Sequence, residues 1–119
     1  YNRGIFAHLT WSDNNVYFDQ GGCCSSNTRT YVASGGSQSW NIWTFRRFTN
    51  SSTRTISKNG NTLTTNTAAA ANINLTSTGV RINYSNWNAR IQIFMAYNRG
   101  LSNDEISQNY DILKKNIGL

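Results

Sequence analysis

Acid–base catalysis needs paired carboxylates, or a histidine set beside a nucleophile, and this 119-residue sequence is poor in both. Its acids are Asp13, Asp19, Asp104, Glu105 and Asp111. Glycoside hydrolysis requires two carboxylates across the scissile bond. The one glutamate, Glu105, is placed to cap a helix, and only Asp13 and Asp19, flanking a predicted hairpin, could approach each other. His8 is the sole histidine and lies in a strand-like run without a nucleophile signature, so a Ser-His-Asp relay has no support. No enzymatic activity is expected.

Binding chemistry is better represented. Aromatic rings stack on the apolar face of a sugar, while Asn, Asp and Arg bond its hydroxyls. Two loops carry that mixture: Trp11-Ser12-Asp13-Asn14, and Tyr84-Ser85-Asn86-Trp87-Asn88 with Arg90. The candidate carbohydrate-binding residues are therefore Trp11, Asp13, Asn14, Tyr84, Asn86, Trp87, Asn88 and Arg90, weighed against a role in plugging the ends of the fold. No cofactor is expected. Asp13 and Asp19, with Asn14 and Asn15, could offer oxygen ligands to calcium, although Asp13-Asn14-Asn15 also reads as a plain turn. No other metal site is expected.

Eleven basic residues against five acidic ones give a net charge of +6. They are dispersed, with only Arg46-Arg47 and Lys114-Lys115 adjacent, so the charge reads as a solvated surface rather than a nucleic-acid footprint. Arg46-Arg47 beside Trp43, Phe45 and Phe48 has the look of a single-strand platform, but those rings are expected in the core. The cysteines are neighbours, Cys23 and Cys24. Free thiols in a Gly-rich turn are the expectation, with an interchain bond or a vicinal bridge as alternatives. No apolar run approaches the ~20 residues a membrane helix needs. The start at Tyr1 reads as a processed product or a piece of a longer chain.

These residues must be positioned by short strands. Apolar and aromatic runs alternate with Gly, Asn and Ser clusters, the pattern of a sandwich or barrel. The strands are Ile5 to Leu9, Val16 to Asp19, Thr28 to Val32, Trp40 to Phe48, Thr53 to Lys58, Asn61 to Thr65, Val80 to Tyr84 and Arg90 to Asn98. Ile5, Ala7 and Leu9 share a face; Trp43 and Phe45 share another. Asn59-Gly60 between two strand-like runs predicts a type I′ hairpin, because both central positions need positive φ.

The period changes near the end. Ser102 and Glu105 form a capping box, with Leu101 and Ile106 as its hydrophobic staple. Acids lie at the start and Lys114-Lys115 at the finish, as the helix dipole favours. Ile106, Tyr110, Leu113 and Ile117 form one apolar stripe, and Gly118 is the stop. One amphipathic helix of about three turns follows. No linker divides the chain, so residues 1–119 are expected to be one domain.

The stretch from Met95 through Tyr97-Asn98-Arg99-Gly100-Leu101-Ser102 to Glu105-Ile106, then Asn109-Tyr110, resembles the closing segment of laminin-G-like domains. Trp43-Thr44-Phe45, Ile56 to Gly60, and Gly79-Val80-Arg81-Ile82 are similar to upstream family elements in the expected order. The similarity covers residues 40 to 113. The earlier part, Phe6 to Asp13, Val16 to Asp19 and Gly21 to Cys24, looks like such domains in bacteriophage and environmental-virus proteins. The resemblance implies an all-β, antiparallel jelly-roll β-sandwich of the laminin-G-like or concanavalin A-like type, with one short C-terminal amphipathic helix. It also implies that N-terminal strands are missing or supplied by another chain. The role it suggests is a non-catalytic structural, decoration or adhesion module of a virion or extracellular surface. Its partners would be other protein subunits in a homo- or hetero-oligomeric assembly. The alternative is a lectin-like module that recognises a surface glycan.

Overall fold

Strand-forming residues here come in runs of four to six, and each run finds its ladder partner in the run beside it. The computed structural model describes residues 4–21, 24–35, 39–48, 51–69 and 90–119. Strands β1 (Ile5–His8), β2 (Asn15–Gln20) and β3 (Arg29–Ala33) form one antiparallel sheet in that order. Strands β4 (Trp43–Arg47), β5 (Arg54–Lys58) and β6 (Asn61–Asn66) form a second. Helix α1 (Asn103–Ile117) closes the chain.

Turn chemistry fixes the registers. Between β1 and β2, the Asp13 carboxylate accepts from Asn15 N at 3.0 Å, and Asn14 takes φ 62°, a conformation that asparagine tolerates. Between β5 and β6, Asn59 and Gly60 have φ 51° and 82°, so the hairpin is the one the sequence predicts. Asn59 also holds Ile42, its side chain accepting from Ile42 N and its own N–H donating to Ile42 O. That tie replaces ladder bonds, and the predicted Trp40 to Phe48 strand is limited to Trp43–Arg47.

Pairing decides which faces meet. Val16 and Phe18 of β2 pack on Ile56 of β5 and Phe45 of β4, with the two phenyl centroids 5.6 Å apart. Leu9, Val32 and Trp43 flank this core. The first strand overhangs it, so Ile5 is 48% exposed although it lies on the apolar face that the sequence marks. The other face of β5 carries Thr55 and Ser57, also buried. Towards the C-terminus, Gly100 passes so close to β4 that a Cβ would sit 2.7 Å from Arg47 O, and Tyr110 packs on Gly60.

Two buried arginines tie these layers. Arg54 is fully buried and donates to Asn27 O, Ser52 O, Ala68 O and the Thr30 hydroxyl. Arg46 donates to the Thr55 hydroxyl and to Leu101 O, and lies over the Phe48 ring. The Arg46 guanidinium is therefore committed to the interior.

The helix starts on a complete capping box: Ser102 Oγ accepts from Glu105 N at 3.1 Å, and Glu105 accepts from Ser102 N at 2.7 Å. Arg99 adds a bidentate pair on Glu105. Gly118, in the left-handed conformation, ends it.

Two expectations are corrected. Residues 90–98 form no strand, and Ile91, Ile93, Phe94, Met95 and Tyr97 are 43–57% exposed. The two-residue alternation is present, but a strand exists only where another strand satisfies its backbone, and no described strand does so here. Cys24 is disulfide-bonded, so the free-thiol expectation fails. Its φ of 81° belongs to a tight turn. Cys23 and the predicted Val80 to Tyr84 strand lie outside the described residues.

Candidate functional site

Alternation along β1, β2 and β3 sends one set of side chains to the core and the other set outward. Register then lines up the outward set in rows. His8 is opposite Tyr17, and Tyr17 is opposite Tyr31, so three rings cross the sheet in one line. The next row is Phe6, Asp19 and Arg29. Trp11, in the β1–β2 turn, sets its ring edge-on to His8 at 5.3 Å and is 55% exposed. Tyr17 and Tyr31 have centroids 5.7 Å apart and tilt by 31°, and Tyr31 is 60% exposed at the sheet edge.

The charges on this face are paired. Asp19 is fully buried, and both its oxygens accept from Arg29, at 2.7 and 2.6 Å. Arg29 also lies 4.3 Å from the centre of the Tyr17 ring, a cation–π contact that holds the ring in place. The Tyr17 hydroxyl donates a hydrogen bond to Asp13. That bond, with help from Asn15, holds the Asp13 carboxyl below its ordinary range; the same bond raises the Tyr17 hydroxyl above its own, against an opposing effect of Asn15. Burial lowers the His8 imidazole below its usual value, outweighing the attraction of Asp19, whose carboxylate lies 3.7 Å from Nε2.

Beyond Tyr31 the face turns a corner. An open groove of about 410 Å³ lies along the contact between β3 and β6, lined by Tyr31, Thr64, Thr65, Asn66, Thr67 and Ala68 together with Arg29 and Thr30. Asn66 braces it: its amide donates to Ser26 O and Arg29 O, and its carbonyl accepts from Ala68 N.

The structure brings Trp11, Asp13 and Asn14 together in one turn beside the ring row. Arg90 is exposed on the irregular run before the helix, while Tyr84, Asn86, Trp87 and Asn88 lie outside the described residues. Asp13 and Asp19, the calcium candidates, are each already bound to donors of the protein, and a cation at Asp19 would have to displace a guanidinium. Among the described residues no cluster of three His, Cys, Asp or Glu side chains forms. Sequence reasoning missed Tyr17, Tyr31 and Arg29. The signal was the alternation around Val16 and Phe18, which sends Tyr17 outward once those two are placed in the core.

No protein-family model and no curated protein matches this chain. Among solved structures, it is similar to the crystal structure of an S-layer domain-containing protein (residues 221–444) from Clostridium thermocellum ATCC 27405, at 17% identity and a TM-score of 0.48. The alignment covers 92% of this chain and 63% of that one, so the chain spans less than two thirds of that structure. A likeness this distant carries no argument about role. Among the described residues, no helix is long and apolar enough to cross a membrane.

Proposed function

We propose that this chain is a non-catalytic module that binds carbohydrate through the outer face of its first sheet. The observation that carries the reading is the row His8–Tyr17–Tyr31 with Trp11 at one end. Flat rings held in register offer stacking surface with little conformational entropy to lose, since pairing, the Arg29 contact and the Asp13 bond already fix them. Asn14 stands at the rim with an amide for sugar hydroxyl groups, while Asp13 and Arg29 serve by fixing the rings.

The proposal extends to setting. An extracellular or virion surface suits the disulfide at Cys24, because such bonds persist in oxidising compartments. A laminin-G-like jelly roll remains the proposed family, supported by the closing motif and the Asn59-Gly60 hairpin. A second reading, assembly with other protein subunits, is favoured by the half-exposed apolar run from Ile91 to Tyr97.

A glycan array tests the first reading. The wild-type chain should bind at least one glycan class, and Trp11→Ala and Tyr31→Ala should each weaken that binding while leaving the circular-dichroism spectrum unchanged. Absence of binding to every glycan, together with a stable oligomer in sedimentation, would transfer support to the assembly reading.

A further inference from the structure

We infer that the ligand is an extended, uncharged polysaccharide, running across the strands from Trp11 over Tyr31 and into the groove between β3 and β6. This rests on the carbohydrate reading above and specifies the ligand class.

Length comes first. Adjacent strands lie about 4.8 Å apart, so the rings of His8 and Tyr31, two strand spacings apart, span roughly 10 Å. One sugar ring cannot cover that row. Tyr31 belongs to both features: it is the outermost ring of the row and a wall of the groove. A chain stacked on the rings therefore meets the groove at Tyr31, where the face turns its corner. The groove, about 410 Å³ and open to solvent, leaves room for a chain to pass along it.

Charge comes second. The groove offers mainly the hydroxyls of Thr64, Thr65 and Thr67, which are neutral donors and acceptors, on a wall that Asn66 braces. Arg29, the one cation among the lining residues, has Nε and Nη2 committed to Asp19. Asp13 is committed to Tyr17 and Asn15. The Arg29 charge is already balanced by Asp19, so the net charge of +6 does not make this face an anion site. Hydroxyl groups facing hydroxyl groups suit a neutral chain.

Calorimetric titration of the folded chain with cello-, xylo-, chito- and manno-oligosaccharides of increasing length, with heparin and polygalacturonate as acidic probes, tests this. Affinity for one neutral series should rise beyond the disaccharide before reaching a plateau. The double variant T65A/T67A, at two exposed positions, should lower affinity for the long members by about tenfold, the effect of losing one or two neutral hydrogen bonds, and leave the disaccharide unaffected. Tyr31→Ala should weaken both. A plateau already at the disaccharide, or long chains indifferent to T65A/T67A, would overturn the extended site while leaving carbohydrate binding intact. Preference for the acidic probes would overturn neutrality. Failure of every probe, neutral and acidic, would remove the carbohydrate reading itself.

Discussion

Arg54 offers the sharpest test of how the two sheets are held together. Its guanidinium is fully buried and joins the 25–28 turn, β3, the approach to β5 and the strand exit at Ala68. Replacing it with methionine keeps a long apolar stem and deletes every donor. Three carbonyls, at Asn27, Ser52 and Ala68, lose a partner at 2.8, 3.0 and 3.3 Å, while the Thr30 bond, at 3.4 Å, is already long. An orphaned buried acceptor costs about 1–3 kcal/mol, and these carbonyls are only partly buried, so each is taken near the lower limit. Methionine also removes the cost of burying a cation, which offsets part of the loss. The net expectation is a destabilisation of about 2–4 kcal/mol, or a drop in Tm of roughly 8–16 °C for a domain of this size. Thermal unfolding followed by circular dichroism measures it. Arg54→Lys should recover little, because an ammonium cannot reach acceptors spread over so many segments. If Arg54→Met melts at or above the wild-type temperature, burying the cation costs more than its bonds return, and the clamp argument fails.

Other outcomes follow from single positions. Gln20 is fully buried, and neither atom of its amide has a hydrogen-bond partner among the described residues, so Gln20→Met should stabilise by about 1–2 kcal/mol in chemical denaturation. Gly60→Ala combines φ 82° with a Cβ placed 3.2 Å from the Tyr110 side chain, whereas Gly118→Ala at φ 73° meets open space. The first should cost clearly more than the ~1 kcal/mol expected of the second, and equal melting shifts would contradict the packing of Tyr110 on the hairpin. Ser102→Ala should cost about 1 kcal/mol by loss of the cap. Arg99 first, and then the Ser102 backbone, hold the Glu105 carboxyl down to about 2 against an ordinary 4.5. Its depressed value stabilises the fold fully above about 4.5, and that contribution is lost as pH falls towards about 2. Helicity measured between pH 5 and pH 2 should fall less in Glu105→Gln than in the wild type, and salt should narrow the difference because the pair is exposed.

The carboxylates beside the ring row are each held by a neighbouring side chain. Asp19, the carboxylate nearest His8, is held by a bidentate guanidinium, and Asp13 is held by a phenol. Both acids are spent on fixing Tyr17 and Arg29. In the proposed carbohydrate site they would position the rings, the kind of support that preorganises a binding surface.

Local chemistry was readable from the residues alone. Asn59-Gly60 demands a turn with two positive φ angles, and Ser102 with Glu105 demands a helix start, because both signals act within a few bonds of the backbone they shape. The placement of β1, β2, β3, β5 and β6 was legible for the same reason. What lay beyond reach was set by partners distant in sequence. The run Arg90 to Asn98 has strand periodicity and forms no strand, since periodicity offers a face but does not supply a ladder. Arg46 and Arg54 looked like surface charge and are buried, because threonine hydroxyls and carbonyls from remote segments bond them there. His8, Tyr17 and Tyr31 became one line of rings only when the register of three strands was fixed, a decision made by the packing of Val16 and Phe18 against Ile56.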